Sequence, residues 1–128
     1  MPAPLNQETV NDTAKLIMHR LIARMLARDS ALVGRAKLTL AVMSTRFPDA
    51  VFVRDWEDML ARPTSELRGC LGHRDQKMKR LRLSSPFVTT GGIDFTDEGL
   101  RRRIRRAAKR LVVRTGRDHA GCVRTTTT

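Results

Sequence analysis

Tyrosine is absent from the sequence, and the other aromatic residues supply only 4% of it. A core without aromatic bulk has to be filled by Leu, Ile, Val, Met and Ala, which suit helices better than sheets. The same lack leaves no aromatic cluster on which unpaired bases would stack. Cysteine is nearly missing too: Cys70 and Cys122 are the only two. Two cysteines do not make a disulfide framework, so both are expected as free thiols in a reduced, cytoplasmic protein. No basic stretch followed by an apolar run stands at the N-terminus, and no segment approaches the roughly 18 apolar residues of a membrane span. Secretion, membrane insertion and a membrane partner are therefore not expected.

Acidic residues are scarce in one half only. Residues 1–66 hold nine Lys and Arg against eight acids, whereas residues 67–128 hold sixteen against five, so net charges of +1 and +11 make up the total of +12. A solubilising surface would spread its charge; this chain has a near-neutral half and a basic half. Such an excess of one sign opposes compaction unless a polyanion or an acidic partner offsets it.

At 128 residues the chain is long enough for one domain with one modest core. The periodicity predicts an all-α fold, a compact bundle of about five to six helices with a long loop before an Arg-rich C-terminal helix. Val10, Ala14, Ile17, Leu21 and Met25 lie at helical spacing and predict a first helix from Glu8 or Asn11 to Arg28. Asp29 is placed to cap a second helix, whose seam of Val33, Ala36, Leu40, Met43 and Phe47 would pair with the first as an antiparallel hairpin over residues 8–47. Gly34 inside that helix suggests close helix approach.

Short helices are expected over residues 49–83. Pro48 stops the second helix and Asp49 caps a third that turns Phe52, Trp56 and Leu60 inward. Pro63 opens a fourth, with Leu67, Cys70 and Leu71 inward and Gly72 at its end. A fifth spans about Asp75 to Leu83, with Met78 and Leu81 inward and Lys77, Lys79, Arg80 and Arg82 outward. The stretch through Gly91 and Gly92, anchored by Phe87, Ile93 and Phe95, reads as a loop or a short β-ribbon. Thr96, with Asp97 and Glu98 after it, starts a helix over 97–114 that turns Leu100, Ile104, Ala107 or Ala108, and Leu111 to one side. Residues 1–114 form the expected helical domain and 115–128 a flexible tail.

That last helix carries Arg101, Arg102, Arg103, Arg105, Arg106, Lys109, Arg110 and Arg114. Guanidinium groups make forked hydrogen bonds to phosphate, and a helix of about 10 to 12 Å width fits the major groove of DNA. The alternative is a solvated helix face. Against it, like charges at i,i+4, such as Arg102 with Arg106, cost an isolated helix a few tenths of a kcal/mol each. These eight residues, with Lys77, Lys79, Arg80 and Arg82, are the candidate nucleic-acid contacts. DNA stands ahead of RNA, an acidic protein is the alternative partner, and the seam of the second helix is as compatible with a sister subunit in a homo-oligomer as with the first helix.

Other motifs carry less. Residues 64–82 match part of a helix-turn-helix, but Arg68 and His73 stand where small and apolar residues are usual. His73, Arg74 and Asp75 spell a kinase catalytic-loop tripeptide without the glycine-rich loop or strand lysine such an enzyme needs. His119 and Cys122 offer two zinc ligands where a structural site takes four. Cys70 with His73 has the residue types of a thiolate pair, but Cys70 is expected on the buried side. No enzyme, cofactor or metal is expected.

The run Leu26-Ala27-Arg28-Asp29-Ser30-Ala31-Leu32-Val33, then Trp56 with Leu60 and Pro63, then Arg80-Leu81-Arg82-Leu83-Ser84-Ser85-Pro86-Phe87, resembles a group of small bacterial proteins, the antitoxin-like components of toxin–antitoxin loci. The likeness spans residues 20–87 and ends at Phe87. It implies a non-enzymatic regulator that binds a partner protein and its own operator DNA.

Overall fold

A computed structural model describes residues 6–90 and 93–122, with side chains described as far as Arg114. Six α-helices follow one another: α1 (Gln7–Arg28), α2 (Ala31–Arg46), α3 (Val51–Leu60), α4 (Thr64–Leu71), α5 (Gln76–Arg82) and α6 (Glu98–Cys122), with a 3-10 turn at Pro86–Val88 between the last two. No strand forms among the described residues, so the ribbon reading of the connection before α6 gives way to a turn. That connection is held by the buried Phe87 and Phe95, with Ile93 half-buried.

The ends of several helices follow from local chemistry. Asn6 caps α1 by accepting from the N–H groups of Glu8 and Thr9, and Asp75 caps α5 by accepting from Met78 N–H at 2.9 Å. Asp29 accepts from Ala31 N–H at the start of α2. Asp97, rather than Thr96, caps α6: its carboxylate accepts from Leu100 N–H at 2.8 Å, while the Thr96 side chain is spent on Asp94. Asp49 makes no cap; α3 begins after Ala50, whose side chain has nothing to offer. The last helix runs past Arg114 to Cys122, so part of the expected tail is helical and residues 123–128 lie outside the described residues.

The expected hairpin of α1 and α2 does not form as the main pairing. α1 packs chiefly along α6 and α4, and α2 lies on α3 and the 3-10 turn. The cause lies in α1, which is apolar on two rows. The row through Ala14, Ile17, Leu21 and Met25 is only half-buried, whereas Leu16, His19, Ile22 and Leu26, at steps of 3, 3 and 4, are buried. A helix apolar on more than one side belongs in the middle of a bundle, not at one side of a hairpin.

The seam of α2 forms about as expected at Ala36 and Leu40 but gains Leu32 and loses Phe47. Leu32, Ala36 and Leu40 are buried, with Val33 and Met43 flanking. Phe47, past the helix end, is 52% exposed and lies edge-on to Phe52. Gly34 reflects no close approach: a Cβ placed there would meet nothing within 4 Å.

The buried side chains from Ile22 to Ile104 form one cluster, with Trp56 at its heart. Trp56 is fully buried, its Nε1–H donates to the Leu81 carbonyl at 3.1 Å, and Phe87 meets it edge-on with ring centres 6.0 Å apart. The indole thereby joins α3 to the end of α5 and the 3-10 turn, supplying large apolar area with its one polar atom satisfied. No described helix is long and apolar enough to cross a membrane.

Candidate nucleic-acid interface

α6 is fixed by a narrow seam. Ile104 and Ala108 are buried, and Leu100, Ala107, Leu111 and Val112 are half-buried around them. At about 100° per residue this seam leaves more than half of the helix circumference to water. All eight predicted cations lie there and are exposed. Arg102, Arg106 and Lys109 fall most nearly opposite the seam. Arg101 and Arg105 flank it on one side; Arg103, Arg110 and Arg114 flank it on the other.

One ion pair forms among the described residues, Arg102 with Glu98 at 3.0 Å on one turn of the helix. Both partners are exposed, so its contribution is at most a few tenths of a kcal/mol. The other seven cations of α6 have no acidic neighbour within ion-pair distance among the described residues. Among the described side chains, Glu98 and Asp97 at the positive end of the helix dipole are the acids that offset their mutual repulsion.

The cations of α5 have a different setting. Lys77 and Arg80 are exposed and Lys79 is half-buried, and the first two line a cleft of about 500 Å³ beside Phe52 and Asp55 of α3. Three of the α6 cations, Arg101, Arg102 and Arg105, line another cleft, against α1. The two clefts share no lining residue.

Arg82 is not a surface residue. It is 2% exposed, and its Nη1 donates to the carbonyls of Leu71 at 3.2 Å and His73 at 2.6 Å. The outward placement read from the sequence is therefore wrong. Met78, Leu81 and Arg82 occupy one helical face, so the residue is carried under α4, where the last carbonyls of that helix need a donor and favour a cation. Burial lowers its pKa, which the charges of Asp75 and Asp12 oppose. Arg82 therefore ties the α4–α5 turn to the core and leaves the interface.

The partial helix-turn-helix match over residues 64–82 has no free reading helix. α5 is seven residues long, buries three of them, and is packed against α1, α3 and α4. Of the catalytic-looking residues, His73, Arg74 and Asp75 are exposed, with the carboxylate of Asp75 used as a cap. Cys70 is half-buried, not core, and its sulfur accepts from Arg62 at 3.2 Å. The side chains of His119 and Cys122 lie outside the described residues.

Two residues of interest escaped the sequence reading. Lys15 projects from α1 into the cleft beside Arg101, Arg102 and Arg105; only knowledge that α6 packs on α1 would have placed it there. His19 is fully buried, stacked on Trp56 with ring centres 6.5 Å apart, and its Nδ1–H donates to the Lys15 carbonyl at 2.7 Å. Its Nε2 meets no partner. Burial pushes the imidazole down to about 4; the Lys15 carbonyl works against that shift, and the nearby Arg82 charge adds to it.

Comparison with protein-family models, with curated proteins and with solved structures finds no match to this chain.

Proposed function

We propose that this chain is a non-enzymatic, nucleic-acid-binding regulatory protein that contacts phosphates through the outer face of α6. One observation carries the reading: eight cations stand exposed on a helix held to the protein by its opposite side, with a single acid paired among them. Phosphates at that face would release condensed counterions and relieve the repulsion within the helix, two gains that a solvated face lacks. The antitoxin-like resemblance of residues 20–87 fits a repressor role of this kind. Duplex DNA is the favoured partner, because a rod of cations without exposed aromatic stacking residues suits a regular array of phosphates.

The exposed cations of α5, Lys77, Lys79 and Arg80, are secondary contacts in this reading; Arg82 has no part in it. Binding of a duplex DNA fragment, measured as a function of salt, tests the proposal. About six phosphates neutralised give a slope of log K against log salt near −5. A slope between 0 and about −1 removes it. Single-stranded RNA that binds more tightly than duplex DNA at the same salt corrects the choice of partner.

A further inference from the structure

The cleft between α1 and α6 has a feature that phosphate binding does not use. Its floor is apolar, built from Ala14 and Met18 of α1, Ile104 of α6, and Leu83, Val88 and Phe95 of the connection. Leu83 remains 61% exposed there. Lys15 stands on one wall and Arg101, Arg102 and Arg105 on the other, with Glu98 beside them as the single carboxylate of the lining. A polynucleotide would engage those cations and leave the floor wet. A segment bearing both apolar side chains and carboxylates would cover both.

We infer that this cleft docks an acidic amphipathic helix of a partner protein, with its apolar face on Met18, Leu83 and Ile104 and its carboxylates on Lys15, Arg101 and Arg105. The cleft has a volume of about 870 Å³ and is open along one side. A small molecule in so open a site would keep much of its surface in water, whereas ligand pockets usually bury most of theirs. A helix satisfies its own backbone and needs one face covered, with anchors at i, i+3, i+4 and i+7. The α1 wall from Asn11 to Met18 offers about 10 Å, two turns of such a helix at 1.5 Å per residue. Met18, unbranched and adaptable, suits the centre of the floor.

The site is distinct from the phosphate-binding face yet shares Arg101, Arg102 and Arg105 with it, so acidic helix and nucleic acid exclude one another. It does not depend on the nucleic-acid reading, since the floor and Lys15 lie outside that face.

The test uses the full chain and a fluorescein-labelled synthetic peptide of three helical turns, with leucines at i, i+3, i+4 and i+7 and glutamates flanking them. A scrambled peptide of the same composition, an oligoglutamate of the same charge and dodecanoate serve as comparisons. The amphipathic peptide binds about tenfold more tightly than the scrambled one, and Leu83→Ser weakens it by about tenfold, the scale of one buried leucine. Leu83 is exposed, so that substitution leaves the fold intact, and it leaves duplex DNA binding unchanged. Duplex DNA displaces the peptide. Absence of DNA binding with the peptide result intact would sink the proposed function and keep this site.

Equal binding of the oligoglutamate or the scrambled peptide overturns the inference, because charge alone would then suffice. Saturable binding of dodecanoate with none of the peptide assigns the cleft to a single-chain amphiphile instead. Amide shifts at Met18 and Leu83 that move with protein concentration alone assign it to a second copy. Equal loss of peptide and DNA binding in Leu83→Ser removes it as a separate site.

Discussion

α5 and α6 are both dense in cations, yet one is built into the core and the other stands on it. α5 buries Met78, Leu81 and Arg82 out of seven residues and spends its last arginine on the carbonyls of Leu71 and His73. Among its described side chains α6 buries only Ile104 and Ala108 outright and turns all eight cations to water. A basic run therefore has no single meaning. An arginine beside a helix C-terminus holds structure, whereas one opposite a thin apolar seam is free to meet a ligand.

The largest effect that would break or sharpen this contrast is the loss of Arg82. Arg82→Met keeps much of the volume but leaves the carbonyls of Leu71 and His73 without that donor. Two charge-assisted hydrogen bonds of about 2 kcal/mol each put the expected destabilisation near 4 kcal/mol, read from urea unfolding. The salt slope for duplex DNA, measured on the folded fraction, stays as in the parent. A slope reduced by about one with stability unchanged would return Arg82 to the interface.

The buried side of the contrast has a pH dependence. Folded His19 is held near 4, against 6.5 for an ordinary histidine, so the unfolded chain takes up the proton first as the pH falls. The neutral ring's contribution to stability is complete above about 6.5, declines between 6.5 and 4, and changes no further below that. The difference in proton uptake amounts to about 3 kcal/mol over that window. His19→Leu removes the decline, and the Lys15 carbonyl keeps its helical N–H partner. Unfolding midpoints measured from pH 7 to pH 4 check this, and an unchanged slope in the variant would mean that other groups titrate.

On α6 the effects move from stability to affinity. Arg102→Ala and Arg106→Ala each reduce the salt slope by about 0.9 and weaken binding about fivefold for all duplex sequences alike. Unfolding changes by less than about 0.5 kcal/mol, because an exposed cation is removed along with its repulsion of neighbours one turn away. A large stability loss in either variant would make α6 resemble α5 and undo the comparison.

Helical class, helix order and most boundaries could be read from the sequence because spacing and breakers agree: Pro63, Gly72 and Asp75 stand where α4 and α5 begin and end. Packing partners could not be read in the same way. The two apolar rows of α1 fit a neighbour on either side, and only the tertiary arrangement selects α6 and α4 over α2. The fate of Arg82 was nevertheless written in the pattern, since Met78, Leu81 and Arg82 stand at i, i+3 and i+4. Residue type outweighed position in reading it as exposed. The same bias hid His19, which falls in the row with Leu16, Ile22 and Leu26. The eight exposed cations of α6 were legible because no apolar row competes with Leu100, Ile104, Ala108 and Leu111 for the buried side.

The smallest expected effect concerns the one acid paired with a cation on α6 among the described residues. Glu98 lies in the first turn and holds Arg102 at 3.0 Å, with side chains 80% and 65% exposed. Its favourable terms, the helix dipole and one screened i,i+4 pair, together come to a few tenths of a kcal/mol. Glu98→Gln therefore lowers stability by no more than that. Duplex DNA binding tightens about twofold, since one repelling charge goes and Arg102 is released to a phosphate. The acidic peptide gains similarly, because Glu98 is the one carboxylate on the wall of its cleft. Weaker binding of both ligands in this variant would show that Glu98 orients Arg102 for them, and that the exposed cations of α6 are not independent of the acid in its first turn.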